Sequence, residues 1–248
     1  MRKLLLAISF LTIIPAYGNR LADEKELAGS LAFYPLVGFL IGSLLAGLAA
    51  LHYRLALGLS GDALIIVVWI ITTAGLHLDG LMDTADGLFC GQDREGKLEV
   101  MRDSRVGAMG VITLMAVLIL KLAFLNSLSY ADKMWILAIC PAFGRGMMVL
   151  AIYIFPYARS GGGLGRSFAE QAHWVHILIA LLTLAAVTFG LGGSTGLILL
   201  GLAIIPVAIV AGWTARQLGG LTGDNYGAIG ELSETIWLIT AVIWKALA

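Results

Sequence analysis

The sequence predicts an all-α fold, a polytopic integral membrane helix bundle with about seven transmembrane spans. Of its 248 residues, 59% are hydrophobic and 13% are charged, whereas a soluble domain of this size carries about 25% charged residues. Apolar runs of about 20 residues, the length that crosses a bilayer as a helix, recur along the chain. Glycines such as Gly38, Gly42 and Gly47 fall within these runs, where small residues let membrane helices pack closely.

Seven apolar stretches are predicted to form the spans, with ends placed to within several residues. They lie at about 31–51, 63–76, 106–125, 134–155, 174–191, 196–215 and 232–247. The second span is expected to continue into the acidic stretch that follows it. The run from Leu4 to Ile14 is shorter, so we expect an interfacial or half-inserted segment there, with a secretory signal peptide as the alternative. All residues, 1–248, are assigned to a single membrane domain.

Basic residues are concentrated in alternate connections of the predicted bundle. Four connections, called here the polar segments, share one side: 18–30, 77–105, 156–173 and 216–231. They carry nine basic residues, namely Arg20, Lys25, Arg94, Lys97, Arg102, Arg105, Arg159, Arg166 and Arg216. The connections 52–62, 127–133 and 192–195 carry only Arg54 and Lys133. Since Lys and Arg are enriched in cytoplasmic loops, we predict that the polar segments lie on the cytoplasmic face of the cell inner membrane. The net charge of zero gives no indication of a nucleic-acid partner.

The stretch from His77 to Arg105 holds seven of the sixteen acidic residues. Asp79, Asp83 and Asp86 are spaced four and then three residues apart, which places their carboxylates on one face of a helix. Like charges at this spacing repel each other unless a cation lies among them, so we predict a site for Mg²⁺. The alternative is a solvated helix end with unpaired acids. Later acids alternate with basic residues and are predicted to form a solvent-exposed face: Asp93, Glu95 and Glu99.

Arginines and glycines follow the acidic stretch at the start of an apolar helix. Arg102, Ser104 and Arg105 precede Gly107 and Gly110. Guanidinium groups and helix N-terminal amides bind phosphate oxygens, so one interpretation is a phosphate site. The other is anchoring of a membrane helix by positive charge.

A second glycine-rich segment precedes the last span. It includes Thr222, Gly223, Asp224 and Glu231. The glycines suit close approach of a phosphate or nucleotide, and the two acids share a face if the segment is helical. A plain turn before the last helix is the alternative.

Two further residues are candidates because of their positions. Arg145 falls within the fourth predicted span, where an arginine normally faces a partner or a polar cavity. The acidic cluster or a substrate phosphate would be a suitable partner. His77 is a candidate base or partner of Asp79, although a helix-end histidine without a role fits equally well. The two cysteines, Cys90 and Cys140, lack metal-binding spacing. Acidic clusters, arginines and glycine-rich loops together indicate metal-dependent phosphoryl transfer.

Three segments together resemble the cobalamin synthases, the adenosylcobinamide-GDP ribazoletransferases. They are HLDGLMDTADGLF at 77–89, MRDSRVGAMG at 101–110 and GGLTGDNYGAIGELSE at 219–234. The opening AISFLTIIPAYG, the segment FYPLVGFLIG and Arg145 fit the same family, so the resemblance runs almost end to end. One departure is Ile14 before Pro15, where many relatives have an arginine before the proline.

The resemblance implies a reaction and a set of site residues. The family joins adenosylcobinamide-GDP to α-ribazole or its 5′-phosphate, releases GMP and requires Mg²⁺. Asp79, Asp83 and Asp86 would hold the metal, and Asp86 or Asp224 would take the proton of the ribazole 5′-hydroxyl. The substrates would be bound by His77, Arg102, Ser104, Arg105, Arg145, Thr222, Gly223 and Glu231. The expected partners are the two substrates and the lipid bilayer, with a homo-oligomer left open.

Three other classes of membrane protein share some of these features. CDP-alcohol phosphotransferases use spaced aspartates and a metal, but they carry Ala-Arg after the first Asp-Gly pair, whereas Leu81 and Met82 follow Gly80 here. Prenyltransferases of the UbiA kind place aspartate clusters on membrane helices, but their first motif usually contains Asn. A cation-coupled transporter would place acids near the middle of the membrane and show an inverted repeat, and the sequence shows no repeat.

Overall fold

The computed structural model describes residues 1–18, 22–160 and 164–247. Within these ranges the chain is helical and contains no strand, so the all-α prediction is confirmed. A short 3-10 turn, Leu31–Phe33, connects the second and third α-helices. The α-helices are α1 (Arg2–Leu11), α2 (Glu24–Ser30), α3 (Tyr34–Arg54), α4 (Leu59–Thr72), α5 (Leu76–Phe89), α6 (Arg94–Val100), α7 (Ala108–Ser127), α8 (Tyr130–Ile154), α9 (Leu164–Gln171), α10 (Trp174–Leu218) and α11 (Gly223–Leu247).

The long helices have the length and composition of membrane spans. In the described ranges, five segments pass this test: Glu24–Arg54, Ala108–Asn126, Tyr130–Ile154, Trp174–Leu218 and Gly223–Leu247. α4 and α5 pass the test only as a pair, which is bent by 89°. If this pair is one span, the number of candidate spans is six. The prediction of a multi-pass membrane protein is therefore confirmed, while the number of seven spans stays a prediction.

The helix α10 folds back on itself at Gly193, where φ is +57°. A Cβ atom on Gly196 would lie 2.7 Å from the carbonyl oxygen of Thr188, yet eight residues of straight helix rise about 12 Å. The chain therefore reverses at the predicted connection 192–195, and its two arms correspond to the predicted spans 174–191 and 196–215.

The second span does not continue into the acidic stretch as one straight helix; α4 and α5 qualify as a span only as a bent pair. α4 ends at Thr72, and α5 begins only at Leu76. Between them Ala74 and Gly75 have φ values of +52° and +66°. A right-handed helix cannot continue through such residues, so the acidic helix α5 runs in its own direction. The N-terminal helix α1 is 10 residues long, about 15 Å, which is too short to cross the membrane; its interfacial position stays a prediction.

α8 lies at the centre of the bundle and is buried along most of its length. α3 crosses it at Gly38 and Gly42, where a Cβ atom would overlap the α8 backbone at Pro141 and Ala138. Such glycines let two membrane helices approach to backbone contact, which is the role that the sequence predicts for small residues within the apolar runs.

The polar segments meet at one end of the bundle, as predicted. Arg94 joins three of them, because its Nε donates to the carbonyl oxygen of Leu218 (2.7 Å) and its Nη2 to that of Ala158 (3.3 Å). The Ser167 hydroxyl donates to a carboxylate oxygen of Glu24 (3.2 Å), and this contact connects the fourth polar segment, 18–30, to the others. The centre of the glycine-rich loop 160–167 lies outside the described residues.

The other connections meet at the opposite end. Lys133 Nζ lies 2.7 Å from Asp62 Oδ1, and His52 Nε2 lies 3.3 Å from the same oxygen. Gly192, in the turn of α10, packs against the Trp135 ring. The alternation of the connections is thus confirmed, and the assignment of the first end to the cytoplasm stays a prediction.

Candidate active site

α5 carries the predicted metal-binding aspartates and packs between α7 and α11. Its residue Leu78 contributes to an apolar cluster with Val117 of α7 and Ala228 of α11. A Cβ atom on Gly80 would lie 2.7 Å from the backbone oxygen of Asp224. The glycine therefore lets the first turn of α5 touch the first turn of α11, so two of the predicted acidic motifs lie side by side.

The turn before α11 is fixed by buried hydrogen bonds. The Thr222 N–H donates to Asn225 Oδ1 (2.8 Å), and Asn225 Nδ2 donates to the Thr84 hydroxyl on α5 (2.9 Å). Gly220 has φ +146° and lies so close to the carbonyl of Pro156 that a side chain would overlap it. Thr222 is fully buried and so holds this turn in shape instead of facing a ligand.

A cavity of about 490 Å³ opens at the end of the bundle where the polar segments meet. This volume lies within the range of about 300–1,000 Å³ that is typical of ligand sites. Its acidic and basic wall residues are His77, Asp79, Arg102, Arg159 and Asp224. Much of the remaining wall is apolar or aromatic, with Phe10, Tyr34, Leu76, Met148, Ile152, Leu164 and Phe168. One cavity thus combines carboxylates, guanidinium groups and an apolar surface.

Arg159 is a site residue that no sequence motif identified. Its Nη2 lies 2.8 Å from Asp224 Oδ2 and 3.3 Å from the carbonyl oxygen of Met101. In the sequence, Arg159 was noted only as one of the nine basic residues of the polar segments. Its position is set by the short backbone pairing of Ala158 with Leu221 (2.9 Å), which no local pattern reveals.

The carboxylates of Asp79 and Asp83 suit a magnesium ion whose coordination is completed by substrate phosphates. Asp79 faces the cavity, and Asp83 follows it one turn later on the same helix, half-buried. Among the described residues no group of three His, Cys, Asp and Glu side chains is arranged to hold a metal ion. Mg²⁺ is commonly bound by one or two carboxylates together with water and substrate phosphates. Asp79 and Asp83 are therefore the residues that would hold it.

The chain matches the family model for cobalamin-5-phosphate synthase over residues 3–242. It belongs to this family. The relative from Desulforamulus reducens is 50% identical, covering 97% of this chain and 96% of its own length. The relatives from Roseiflexus sp. and Herpetosiphon aurantiacus are 40% and 38% identical, over 96% of this chain and 88% and 94% of their own lengths. All three are named adenosylcobinamide-GDP ribazoletransferase. No solved structure matches the chain.

The cavity includes part of the predicted set of site residues. Five predicted residues line it, namely His77, Asp79, Arg102, Gly223 and Asp224. Seven others do not, namely Asp83, Asp86, Ser104, Arg105, Arg145, Thr222 and Glu231. A side chain on Gly223 would meet no atom within 4 Å. This glycine therefore leaves open space at the start of α11, where a phosphate or ribose can approach the backbone.

Asp86 has a structural role that accounts for the glycines after it. Its two carboxylate oxygens accept hydrogen bonds from the backbone N–H groups of Gly107 and Gly110, both at 2.8 Å. Side chains at these glycines would collide with the carboxylate. Asp86 thus satisfies two free N–H groups at the first turn of α7 and fixes α5 to it. Its predicted roles in metal binding and proton transfer stay predictions.

Replacing Asp86 with alanine is expected to lower the free energy of unfolding by about 0.5–2 kcal/mol, because two helix N-terminal N–H groups lose their acceptor. Thermal unfolding of the purified protein measures this change. Asp93→Ala is the comparison, because it removes the cap of the short helix α6, which has no buried residue (Gly96 N–H, 3.0 Å). Fraying of this helix should cost less than the loss of the contact between α5 and α7. Unchanged stability with a hundredfold loss of turnover would instead indicate that Asp86 acts in catalysis.

Arg105 is paired with its neighbour outside the cavity. Its Nη2 lies 2.5 Å from Asp103 Oδ2, and its side chain is exposed. Hydrogen bonds from Arg105 lower the pKa of Asp103 to about 2. Of the two arginines predicted to bind phosphate in this segment, Arg102 lines the cavity.

Arg145 and Glu231 belong to a buried ionic network inside the bundle. Lys121 Nζ lies 2.5 Å from both Glu231 Oε2 and Glu234 Oε2, and Arg145 Nη1 bonds to Glu234 Oε1. The Lys121 ammonium also lies 4.3 Å from the centre of the Trp69 ring. In the described residues the partner of Arg145 is Glu234, and not an aspartate of α5, while its Nε and Nη2 have no hydrogen-bond partner. Its predicted role at a substrate phosphate stays a prediction. Two cations and two carboxylates balance within the apolar interior.

Proposed function

We propose that this chain joins adenosylcobinamide-GDP to α-ribazole or α-ribazole 5′-phosphate, producing adenosylcobalamin or its 5′-phosphate and GMP. The observation that carries the proposal is one cavity in which Asp79 and Asp224 face Arg102 and Arg159. Carboxylates for a metal and guanidinium groups for phosphate oxygens are the parts that phosphoryl transfer needs. Family membership and the names of the relatives support the same reaction.

In the proposed reaction, a ribose hydroxyl of the acceptor other than the 5′-hydroxyl attacks the phosphorus that carries cobinamide. α-Ribazole 5′-phosphate has no free 5′-hydroxyl and keeps its phosphate in the product, so the expectation of attack by the 5′-hydroxyl is wrong. A new P–O bond forms, the bond from this phosphorus to the bridging oxygen breaks, and that oxygen leaves with GMP. Arg102 and Arg159 would hold the phosphate oxygens in line for attack. Asp224 would accept the hydroxyl proton, since it lies on the cavity wall beside Gly223, where the acceptor can approach. Mg²⁺, held by Asp79 and Asp83, would supply positive charge to neutralise the departing GMP.

We further propose that the cavity faces the cytoplasm at the cell inner membrane. The polar segments at that end carry nine basic residues against two at the other end, which is the charge bias of cytoplasmic loops. A cytoplasmic site also suits a nucleotide-linked substrate, which is charged and does not cross the bilayer unaided.

The direct test uses the purified protein in lipid nanodiscs with Mg²⁺, adenosylcobinamide-GDP and α-ribazole. GMP release is expected, and removal of Mg²⁺ with EDTA should stop it. Arg159→Ala should lower the rate by about 10²–10³-fold, because one donor to the phosphate is lost. Arg166→Ala is the matched control, because Arg166 bonds to Glu170 on the surface (2.6 Å). A folded protein that releases no GMP with either acceptor would refute the proposal.

A further inference from the structure

The aromatic part of the cavity has the properties of a subsite for one substrate. We propose that Phe10, Tyr34 and Phe168 bind the apolar base of the acceptor nucleoside, α-ribazole, while the guanosine of the donor binds elsewhere. This inference rests on the proposed function and assigns its acceptor to one place. It makes Phe10 and Phe168 determinants of which base is accepted.

The three aromatic side chains converge from separate parts of the chain. The ring centres of Phe10 and Phe168 are 5.4 Å apart in an edge-to-face arrangement, and that of Tyr34 lies 6.2 Å from each. Tyr34 and Phe168 are almost fully buried. Rings that pack against one another in this way are held in place by their neighbours. The part of the cluster that reaches the cavity, chiefly the half-buried Phe10, therefore gives a flat base a fixed apolar edge to pack against.

The aromatic cluster lies about one helical turn from the charged residues. Gly165, at the start of α9, is in contact with Gly223 at the start of α11; a Cβ atom on it would lie 3.1 Å from the Gly223 nitrogen. Phe168 follows three residues later on α9, a rise of about 4.5 Å. A nucleoside whose base packs on Phe168 would thus direct its ribose toward Gly223 and Asp224, where the attacking ribose hydroxyl is needed.

The chemistry of the wall distinguishes between the two nucleosides in the reaction. Guanine has donors and acceptors on both edges. The aromatic cluster offers it one polar group, the Tyr34 hydroxyl, which has no hydrogen-bond partner among the described residues. Neighbours such as Met148 and Ile152 are apolar, so most of the guanine edge would be unpaired there. The base of α-ribazole is a dimethylbenzimidazole, whose single free ring nitrogen and two methyl groups suit an apolar wall. The cavity of about 490 Å³ holds a nucleoside but not a corrin ring, so the corrinoid would remain outside.

The test measures how each variant changes the KM for α-ribazole and the KM for adenosylcobinamide-GDP. Phe168→Ala and Phe10→Ala should each raise the KM for α-ribazole at least tenfold and change the KM for adenosylcobinamide-GDP less than twofold. Phe189→Ala, on the exposed surface of α10, should change neither. A larger effect on the donor, or no effect on the acceptor, would overturn the inference.

Two further measurements do not depend on the alanine variants folding. Wild-type protein should bind α-ribazole in the absence of the donor, and Phe168→Leu should weaken this binding. Wild-type enzyme should also use the dimethylbenzimidazole riboside at least tenfold better in kcat/KM than an α-riboside of adenine. Equal use of the adenine riboside would contradict the inference while leaving the proposed function standing. No GMP release from wild-type enzyme with any acceptor would instead overturn the proposed function.

Discussion

Asp79→Asn is expected to reduce GMP release by at least about 10²-fold while leaving the protein folded, because metal-assisted charge stabilisation contributes several kcal/mol. Asp79 is exposed on the cavity wall, so an amide of the same shape costs little packing. It cannot neutralise a cation, however, and a neutral group binds Mg²⁺ weakly. The variant should therefore need much more Mg²⁺ for half-maximal rate. Turnover and thermal unfolding measured on the same preparation separate loss of function from loss of fold.

Two companion variants sharpen this expectation. Asp83→Asn, one turn further along α5, should show the same loss of GMP release if both carboxylates hold the metal. Asp93→Asn, on the exposed side of α6, should retain wild-type turnover. Near-normal release of GMP by Asp79→Asn at limiting Mg²⁺ would rule out its role as a ligand.

Lys121→Met is expected to lower the stability of the protein by about 3–5 kcal/mol, because it leaves the buried Glu231 and Glu234 with one cation between them. Unfolding of the protein in mixed micelles, followed by circular dichroism, measures the loss. Lys245→Met is the matched control. Its partner Asp132 lies 2.7 Å away, but the Lys245 side chain is 42% exposed, so its loss should cost at most about 1 kcal/mol.

A double variant tests whether the charge itself is responsible. Lys121→Met combined with Glu231→Gln removes one charge of each sign, so part of the lost stability should return. If Lys121→Met unfolds at the same denaturant concentration as the wild type, the network does not stabilise the bundle and our interpretation of it is wrong.

Local sequence signals predicted the helical character of the chain and much of the cavity. Hydropathy identified the long helices, and the spacing of Asp79 and Asp83 placed both on one helix, because helical periodicity depends only on neighbours in sequence. Charge in the polar segments predicted which connections meet. The bend at Ala74 and Gly75 was missed, because a non-glycine residue with positive φ leaves no composition signal.

The partners of the charged residues were the least predictable part of the site. Arg145 was interpreted as a substrate ligand because a charge in a membrane helix usually has a function, and Glu231 because it shares a predicted helix face with Asp224. Their neighbour Lys121 lies in an uninterrupted apolar stretch of α7, more than 100 residues from Glu231 in sequence. Such a pairing depends on how whole helices pack. The same is true of Arg159, which reaches Asp224 only because α11 begins beside the loop after α8.

The buried ionic network also has a consequence for how the chain is made. Lys121 and Arg145 belong to α7 and α8, whereas both of their carboxylate partners belong to α11, the last helix of the described chain. During synthesis the two cations enter the membrane before their counter-ions exist. An unpaired Lys or Arg at the bilayer centre costs about 2.5–3.5 kcal/mol even on insertion scales. Insertion of the final helix therefore completes the neutralisation of the interior, and a chain shortened before Glu231 would be left with two unpaired positive charges, as a substrate for quality-control proteases.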